Sequence, residues 1–401
     1  MTWKKISLQT NKDNNKLLQY RFCPICENKK SRSLLFFENF QFFSDSDFPK
    51  QVDLHEKQCR NCGAIYLNPC YSNEGFSILF DEAGKSYGST EGRPTEQINW
   101  LNERNLLKDN FKILDIGCGT GNFLASLPKH VNKVGVDIDA PSIELAKTSN
   151  PEIEFICSGF DDLKYNEPIN IITMFHVLEH LPNPKETLQR LYELSNKETQ
   201  LVIEVPIIEN GFTNDINGFF SVQHLTHFSR NSLRNILELV GWKIVDWLEQ
   251  KDYNGCRILA IKSTPSPIIK QSNTETINTQ KYLSHWYKSL SQVEEKVLSL
   301  NYKYCIIWGG GTHLEFLYQT TSLFSKDIQF IIVDSDKSKQ NKSWRGINIY
   351  SPTIIKELKN SEEIIYIISS YGGQNSIEKE LKKMSISQDK ILKLYDYIRV
   401  Y

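Results

Sequence analysis

The chain has 401 residues, 40% of them apolar and 24% charged, with 47 basic against 48 acidic side chains and a formal net charge of −1. That length exceeds one ordinary hydrophobic core, so two or three domains are expected, and the even mixture of charges argues against a general nucleic-acid binder, which carries a basic face or stripe. No apolar run reaches bilayer-spanning length and the N-terminal MTWKKISLQTNKDNNK lacks the apolar core of a signal peptide, so the expectation is a cytoplasmic enzyme with no membrane partner.

Nine cysteines are present, and four of them fall in two Cys-x-x-Cys pairs, Cys23/Cys26 and Cys59/Cys62. Each short turn brings two thiolates to one side of an ion, and two such turns close a tetrahedron with no open position. A redox disulfide is the rival for either pair alone; the two together point to a structural zinc that folds a small domain over residues 1–80. The stretch of about thirty residues between the pairs, which contains the aromatic LLFFENFQFF, is longer than the usual ribbon spacing of roughly 15–20 and implies an inserted hairpin. The remaining cysteines, among them Cys118, Cys157, Cys256 and Cys305, are scattered singly and read as reduced packing residues.

From about residue 81 the pattern changes. A loop, GKSYGSTEGR, and a helix precede the strand FKILDI, a Gly-rich turn and another helix. The strands NKVGVDIDA, EIEFICSG, INIITMF and TQLVIEVP follow, alternating with helices. This alternation specifies a mostly parallel sheet covered on both faces. Ser229 is placed to cap a helix starting near Arg230. The strand CRILAIKS closes this domain, 81–263, and the Ser/Thr/Pro/Asn-rich stretch 264–280 reads as a linker. Beyond it, Leu283, Trp286, Tyr287, Leu290, Val293 and Val297 recur at helical spacing and read as a packing stripe. KYCIIWGGGTHLEFL and DIQFIIVDSD then begin a second Rossmann-like α/β unit, 281–401. The expected fold class is therefore α/β: a small N-terminal zinc-binding domain, a central Rossmann-like domain and a second Rossmann-like domain at the C-terminus.

In LDIGCGTGNF the strand ends at Asp115, and Gly117, Gly119 and Gly121 form the turn. Glycines there let a ligand approach the backbone, and the amides of the following helix can meet its polar groups. Asp137 ends the next strand, where a carboxylate can accept from both ribose hydroxyls. Glycines plus a ribose acid leave two options, a dinucleotide or S-adenosylmethionine (SAM). The G-x-G-x-x-G fingerprint is not met. The form present, D-I-G-C-G-T-G, resembles motif I of class I SAM-dependent methyltransferases. The likeness extends through Asp137, through SGFDDL and into MFHVLEHLPNP. It implies that Gly117, Gly119 and Gly121 lie under the methionine and ribose, that Asp137 meets the ribose and that Asp161 or Asp162 meets the adenine. Asp115, in the same motif, supports the turn.

The whole order of parts also resembles a narrower family, the zinc-containing sugar C-methyltransferases that act on nucleotide-linked 4-keto deoxysugars. That family has a C-terminal α/β domain with a turn like Gly309-Gly310-Gly311-Thr312-His313. This likeness implies a nucleotide-sugar substrate and a proton abstracted beside a ketone, for which a neutral imidazole is a suitable base. The catalytic candidates are His224, His176 and His227, all at or beyond the carboxyl ends of expected strands. Tyr87, Arg93 and Gln223 are candidates for the sugar pocket, His180 for ordering the turn after the fourth strand, and GGGTH for a scaffold closing over the nucleotide.

There is one departure. The family's segment resembles Tyr-His-Glu-His-Leu-Ser-Tyr-Phe, whereas here Ser221 and Gln223 replace the tyrosine and the glutamate. Glutamine cannot take a proton, so O-methylation of a sugar or small molecule is the close alternative. A zinc-ribbon RNA methyltransferase is the more distant one, disfavoured by charge. Metal at His224/His227 is not expected, because no Asp, Glu or Cys completes a nearby set. A monomer is expected.

Overall fold

The computed structural model describes residues 16–41, 51–77, 92–159, 163–211, 214–248, 253–270, 273–358 and 363–398. Near the N-terminus, β1 (Ser31–Gln41) and β2 (Gln51–Cys59) pair as a long antiparallel hairpin between the two Cys-x-x-Cys turns, and β3 (Ile65–Leu67) follows the second turn.

The central unit runs α1 (Arg93–Glu103), β4 (Lys112–Ile116), α2 (Asn122–Ser126), β5 (Asn132–Asp137), α3 (Ala140–Ser149), β6 (Glu154–Cys157), β7 (Ile171–Phe175), α4 (Pro184–Leu194) and β8 (Gln200–Pro206). After β8 come the short β9 (Thr226–His227), α5 (Arg230–Val240), β10 (Trp242–Trp247) and β11 (Gly255–Lys262). Seven of these strands form one sheet in the order β10-β11-β8-β7-β4-β5-β6. The five from β8 to β6 are parallel, and β11 and β10 run antiparallel at one edge.

Successive residues in these strands serve opposite faces. Leu114, Ile172 and Leu201 pack under α4 and α5, while Ile113, Ile171 and Val202 pack under α1, α2 and α3. A strand apolar at every position needs cover on both sides, and that sandwich provides it. The strand order reverses between β4 and β7, so a crevice opens beyond their carboxyl ends.

Helix α5 starts as expected. The Ser229 side chain accepts from the Ser232 amide in a reciprocal capping box, and Gly241 ends the helix at φ 110°. The expected linker is shorter than its composition suggested, because α6 (Asn273–Leu298) begins inside 264–280. Its packing stripe keeps Trp286, Val293 and Val297 buried as expected, but Tyr282 is buried as well, whereas Tyr287 is 51% exposed. The reason is tertiary. Tyr282 and Trp286 pack on Phe219 and Phe220 from the central unit, and Phe37 of β1 closes on Trp286.

The C-terminal sheet contains β12 (Tyr304–Trp308), β13 (Gln329–Val333), β14 (Ser343–Trp344), β15 (Ile347–Tyr350), β16 (Ile364–Ile368) and β17 (Ile391–Lys393), in the order β14-β15-β13-β12-β16-β17. Helix α7 (Thr312–Thr320) follows the GGGTH turn.

The segment from 214 to 229 ties the three units together. Ile216 donates to the Tyr395 hydroxyl of the C-terminal unit at 2.9 Å. Further on, Thr226 and His227 pair with Tyr66 and Ile65, so β9 is the fourth strand of the N-terminal sheet, in the order β9-β3-β2-β1. Among the described residues no helix is long and apolar enough to cross a membrane.

Candidate functional site

The Gly-rich turn sits at the carboxyl end of β4, inside the crevice. Gly117 adopts φ 73°, and a Cβ on it would lie 2.3 Å from Val177 Cγ2, so glycine is required there for the turn to pack against the loop after β7. Gly119 adopts φ 51° with nothing within 4 Å of the place a Cβ would occupy. Its free side faces open space. Asp137, at the end of β5, accepts from the Gly119 amide at 2.8 Å and from the Asp139 amide at 2.9 Å, which fixes both the turn and the carboxylate.

Asp115 is buried behind the turn and accepts from the Thr173 hydroxyl at 2.7 Å. Burial pushes its carboxyl up to about 7, with the charge of Asp137 adding to the effect and the Thr173 hydrogen bond opposing it. This residue supports the turn from within. The native state therefore holds a proton on Asp115 between about pH 4 and 7 that the unfolded chain has released, and its contribution to stability falls as pH rises through that window. Asp115→Asn is expected to flatten the loss of unfolding free energy between pH 5 and 7.5 by on the order of 3 kcal/mol. Denaturant titrations of both proteins at the two pH values measure the difference. Equal slopes would refute it. Asp161, Asp162 and Tyr87 lie outside the described residues.

Beyond β7 the backbone turns sharply, with His176 at φ 56°. Its Nε2 lies 2.7 Å from the Tyr253 hydroxyl and 3.3 Å from Glu204 Oε1, and its Nδ1 lies 3.4 Å from Glu179 Oε1. Burial alone would lower the His176 pKa, but the two carboxylates reverse that and push it up to about 9. His176 is therefore an imidazolium at neutral pH and cannot accept a proton, which removes it from the base role. Glu204, despite burial that would raise it, is held well below the usual carboxylate range by His176 and by Arg257, whose Nε lies 2.6 Å away. Arg93 opens α1 with an exposed side chain, and its charge acts on the Tyr253 hydroxyl.

This buried network, Glu179, Glu204, Tyr253 and Arg257, was missed in the sequence. A signal for two members was present. Glu204 and Arg257 are charges inside the otherwise apolar strands LVIEVP and CRILAI, and the antiparallel register of β8 and β11 sets them opposite one another. A charge on a buried strand is paired or functional.

The SVQHLTHFS segment gives its two histidines different surroundings, although their ring centroids are only 6.0 Å apart. His227 is buried in β9, with Nε2 2.8 Å from Glu56 Oε1 and its ring against Phe219 and Phe220. That makes it a core residue, outside the crevice. His224 is partly exposed, with its ring 4.9 Å from that of His180. Burial of the ring, together with the neighbouring His180, His227 and His176, holds its pKa well below the ordinary histidine value, so His224 is neutral with a lone pair available.

Leu225 holds His224 in place. Its amide donates to the Glu179 carbonyl at 2.8 Å and its carbonyl accepts from the Leu67 amide at 3.1 Å. Arg21 adds bonds to the Leu225, Leu67 and Pro182 carbonyls. Gln223 contributes its carbonyl, which accepts from His180 Nδ1 at 2.8 Å. Glu179 and His180 stand beside His224, their side-chain donor atoms within 4.8 Å of one another.

At the N-terminal knuckles, Cys23 Sγ and Cys62 Sγ are 3.5 Å apart, Cys26 Sγ and Cys59 Sγ are 3.6 Å apart, and all four sulfurs lie within 4.8 Å of one another. A tetrahedral ion with Zn–S of about 2.3 Å sets its sulfurs roughly 3.8 Å apart, and a disulfide needs about 2 Å. The donor set and spacing fit zinc and do not fit a disulfide.

In the C-terminal unit, Asp334 accepts from the Gly310 and Asp336 amides at 2.8 and 2.9 Å, the same bracing that Asp137 gives the first turn. Here, however, Lys339 Nζ lies 3.6 Å from Asp334 and 3.2 Å from the Cβ position of Gly311. That ammonium lies against the C-terminal turn, whereas nothing lies within 4 Å of the Cβ position of Gly119 in the first.

Residues 90–246 match the family model described as a methyltransferase domain, and residues 301–392 match one described as C2185-like, N-terminal. A putative methyltransferase, 235L, of Invertebrate iridescent virus 6 is 25% identical over 140 residues, covering 33% of this chain and 53% of that protein. The mitochondrial ubiquinone biosynthesis O-methyltransferase of Candida albicans is 26% identical over 149 residues, covering 34% and 45%. Among solved structures, magnesium protoporphyrin IX methyltransferase from Synechocystis PCC 6803 with bound SAH is similar at 18% identity and a TM-score of 0.36, covering 47% of this chain and 95% of that one. The chain spans about half the length of the curated relatives it matches. Its central unit is a methyltransferase domain with the class I, SAM-dependent fold.

Proposed function

We propose that this chain is a SAM-dependent methyltransferase acting on a nucleotide-linked keto-deoxysugar, with His224 as the general base. The observation that carries the reading is the placement of a neutral, partly exposed imidazole beside the loop that packs on the cofactor turn. Val177 contacts Gly117, Glu179 follows two residues later, and His224 stands against His180.

The crevice suits the cofactor. Gly119 leaves its side open, and Gly117, Gly119 and Gly121 with the Asp137 carboxylate are the residues that would hold it. SAM brings an electrophilic sulfonium methyl. The protein's part is to place the acceptor in line and to take its proton. His224 is suited to the second task because its lone pair is free at neutral pH. Cys23, Cys26, Cys59 and Cys62 would hold a structural zinc. The C-terminal GGGTH turn, with Lys339 against it, is a scaffold over the nucleotide. A monomeric, cytoplasmic protein completes the reading.

Gln223 in place of glutamate, together with O-methylating relatives, supports the second reading, in which His224 deprotonates a sugar or small-molecule hydroxyl. Incubation with SAM and a panel of nucleotide sugars, read by mass spectrometry, is expected to show the gain of one methyl. If only phenols or RNA are methylated, the sugar assignment fails. Deuterium exchange beside the ketone without SAM identifies carbon as the acceptor, and its absence identifies oxygen.

The cofactor site has its own test. Gly119→Ala places a Cβ in the open cradle and strains the backbone by about 1 kcal/mol. It is expected to weaken S-adenosylhomocysteine binding by at least about tenfold in calorimetry, about 1.4 kcal/mol. Unchanged affinity would place the cofactor elsewhere.

A further inference from the structure

We propose that Glu179, His180 and His224 form a second metal site, apart from the four cysteines, for a divalent transition-metal ion of the zinc or ferrous-iron class. Two imidazoles and one carboxylate are a recurring donor set for such ions, and three protein ligands leave coordination positions open. The ligating atoms of the three residues all lie within 4.8 Å of one another, with His180 Nε2 and Glu179 Oε1 at 3.9 Å. Around an ion with bonds of about 2.1 Å, tetrahedral ligand atoms sit roughly 3.4 Å apart, so the separations in the triad must shorten by up to about 1.4 Å.

Three features point to an ion. Glu179 is buried to 1% exposure, yet neither carboxylate oxygen accepts a hydrogen bond among the described residues. A buried carboxylate in that condition is costly unless a cation compensates it. His176 supplies part of that charge from one side, 3.4 Å from Oε1. Second, His180 is oriented as metal-bound histidines are. Its Nδ1–H is committed to the Gln223 carbonyl, which puts the lone pair on Nε2 toward Glu179. Third, His224 is the partly exposed member, through which an ion could enter.

The site is invisible in the sequence because His224 follows Glu179 and His180 by more than forty residues. Leu225, held between the Glu179 carbonyl and β3, brings them together. An ion here occupies the lone pair with which His224 would take a proton, so the two uses exclude one another and metal acts as an off-switch. That consequence rests on the methyl-transfer reading; the binding itself does not, and it is measured without SAM or acceptor.

The full chain, cleared of loosely bound metal by dialysis, is titrated with Co²⁺. A cysteinyl site gives an intense thiolate-to-cobalt absorption, and an imidazole–carboxylate site gives only weak visible bands. The expected result is an additional equivalent of the weak type. In Glu179→Gln and His224→Asn its affinity should fall by at least about 100-fold, with the thiolate-type band retained as the sign of an intact fold. X-ray absorption of the loaded wild type should show nitrogen and oxygen scatterers beside sulfur. An all-sulfur environment, or an additional equivalent that survives in both variants, overturns the proposal.

Discussion

Replacing Cys59 and Cys62 with serine in the full chain is expected to reduce methyl transfer by about 100-fold or more, while S-adenosylhomocysteine binding stays close to wild type. The cause is the topology of the N-terminal sheet. A closed tetrahedral cysteine site contributes its binding energy directly to folding, so removing two of its ligands unfolds the unit that it holds. That unit does not end at β3. Its fourth strand is β9, contributed by the central unit, and His224 lies two residues before it. The Leu67–Leu225 backbone bond and the Arg21 contacts to Leu225 and Pro182 come from the same N-terminal unit. When it melts, His224 loses its anchor, and a displacement of an ångström is enough to cost two orders of magnitude in rate. The glycine turn and Asp137 are held instead by β4 and β5 of the central sheet. Metal content, near-ultraviolet circular dichroism, calorimetry with S-adenosylhomocysteine and turnover are read together. A variant that loses zinc and keeps full turnover would show that the cysteines matter only to their own unit.

How far the sequence went depends on the range of the interaction involved. The parallel sheet, the glycine turn and Asp137 were legible because strand periodicity, turn chemistry and the roughly twenty-residue spacing are local. So was the Ser229 cap. What escaped was set by packing between units. The start of α6 inside a Ser/Thr/Asn-rich stretch follows from Glu275, which bonds Ser229 and Asn231 at the head of α5, and from Thr279, which accepts from Gln58 of β2 at 3.0 Å. Tertiary contacts outweighed a composition that favours loop. Tyr282 rather than Tyr287 faces inward because the 216–220 segment lies on that side. His227 was grouped with His224 by proximity in sequence, but strand geometry sends neighbouring side chains to different surroundings, and the buried carboxylate of Glu56 captured it. The charge of His176 could not be read from spacing alone, since Glu179 lies three residues on in the same turn but Glu204 comes from the neighbouring strand β8.

His224→Ala is the substitution that decides the catalytic reading. Turnover is expected to fall by about 10²–10⁴-fold, the usual contribution of a positioned general base, with S-adenosylhomocysteine affinity unchanged. Of the three histidines that the sequence offered, His176 is already protonated at neutral pH and His227 is sealed in the N-terminal sheet against Glu56. No other histidine faces the crevice among the described residues except His180, whose Nδ1 is committed to Gln223 and whose burial holds it below the ordinary histidine value. A structural role for His224 would also depress turnover, so a second readout is needed. The ring is partly exposed and removing it leaves an opening to solvent, so added imidazole should restore a measurable fraction of the rate in His224→Ala. It should restore none in the zinc-ligand variant, where the anchor rather than the base is missing. Full activity in His224→Ala would remove proton abstraction from this residue. An activity loss without imidazole rescue would leave it only the task of holding the Glu179–His180 turn in place.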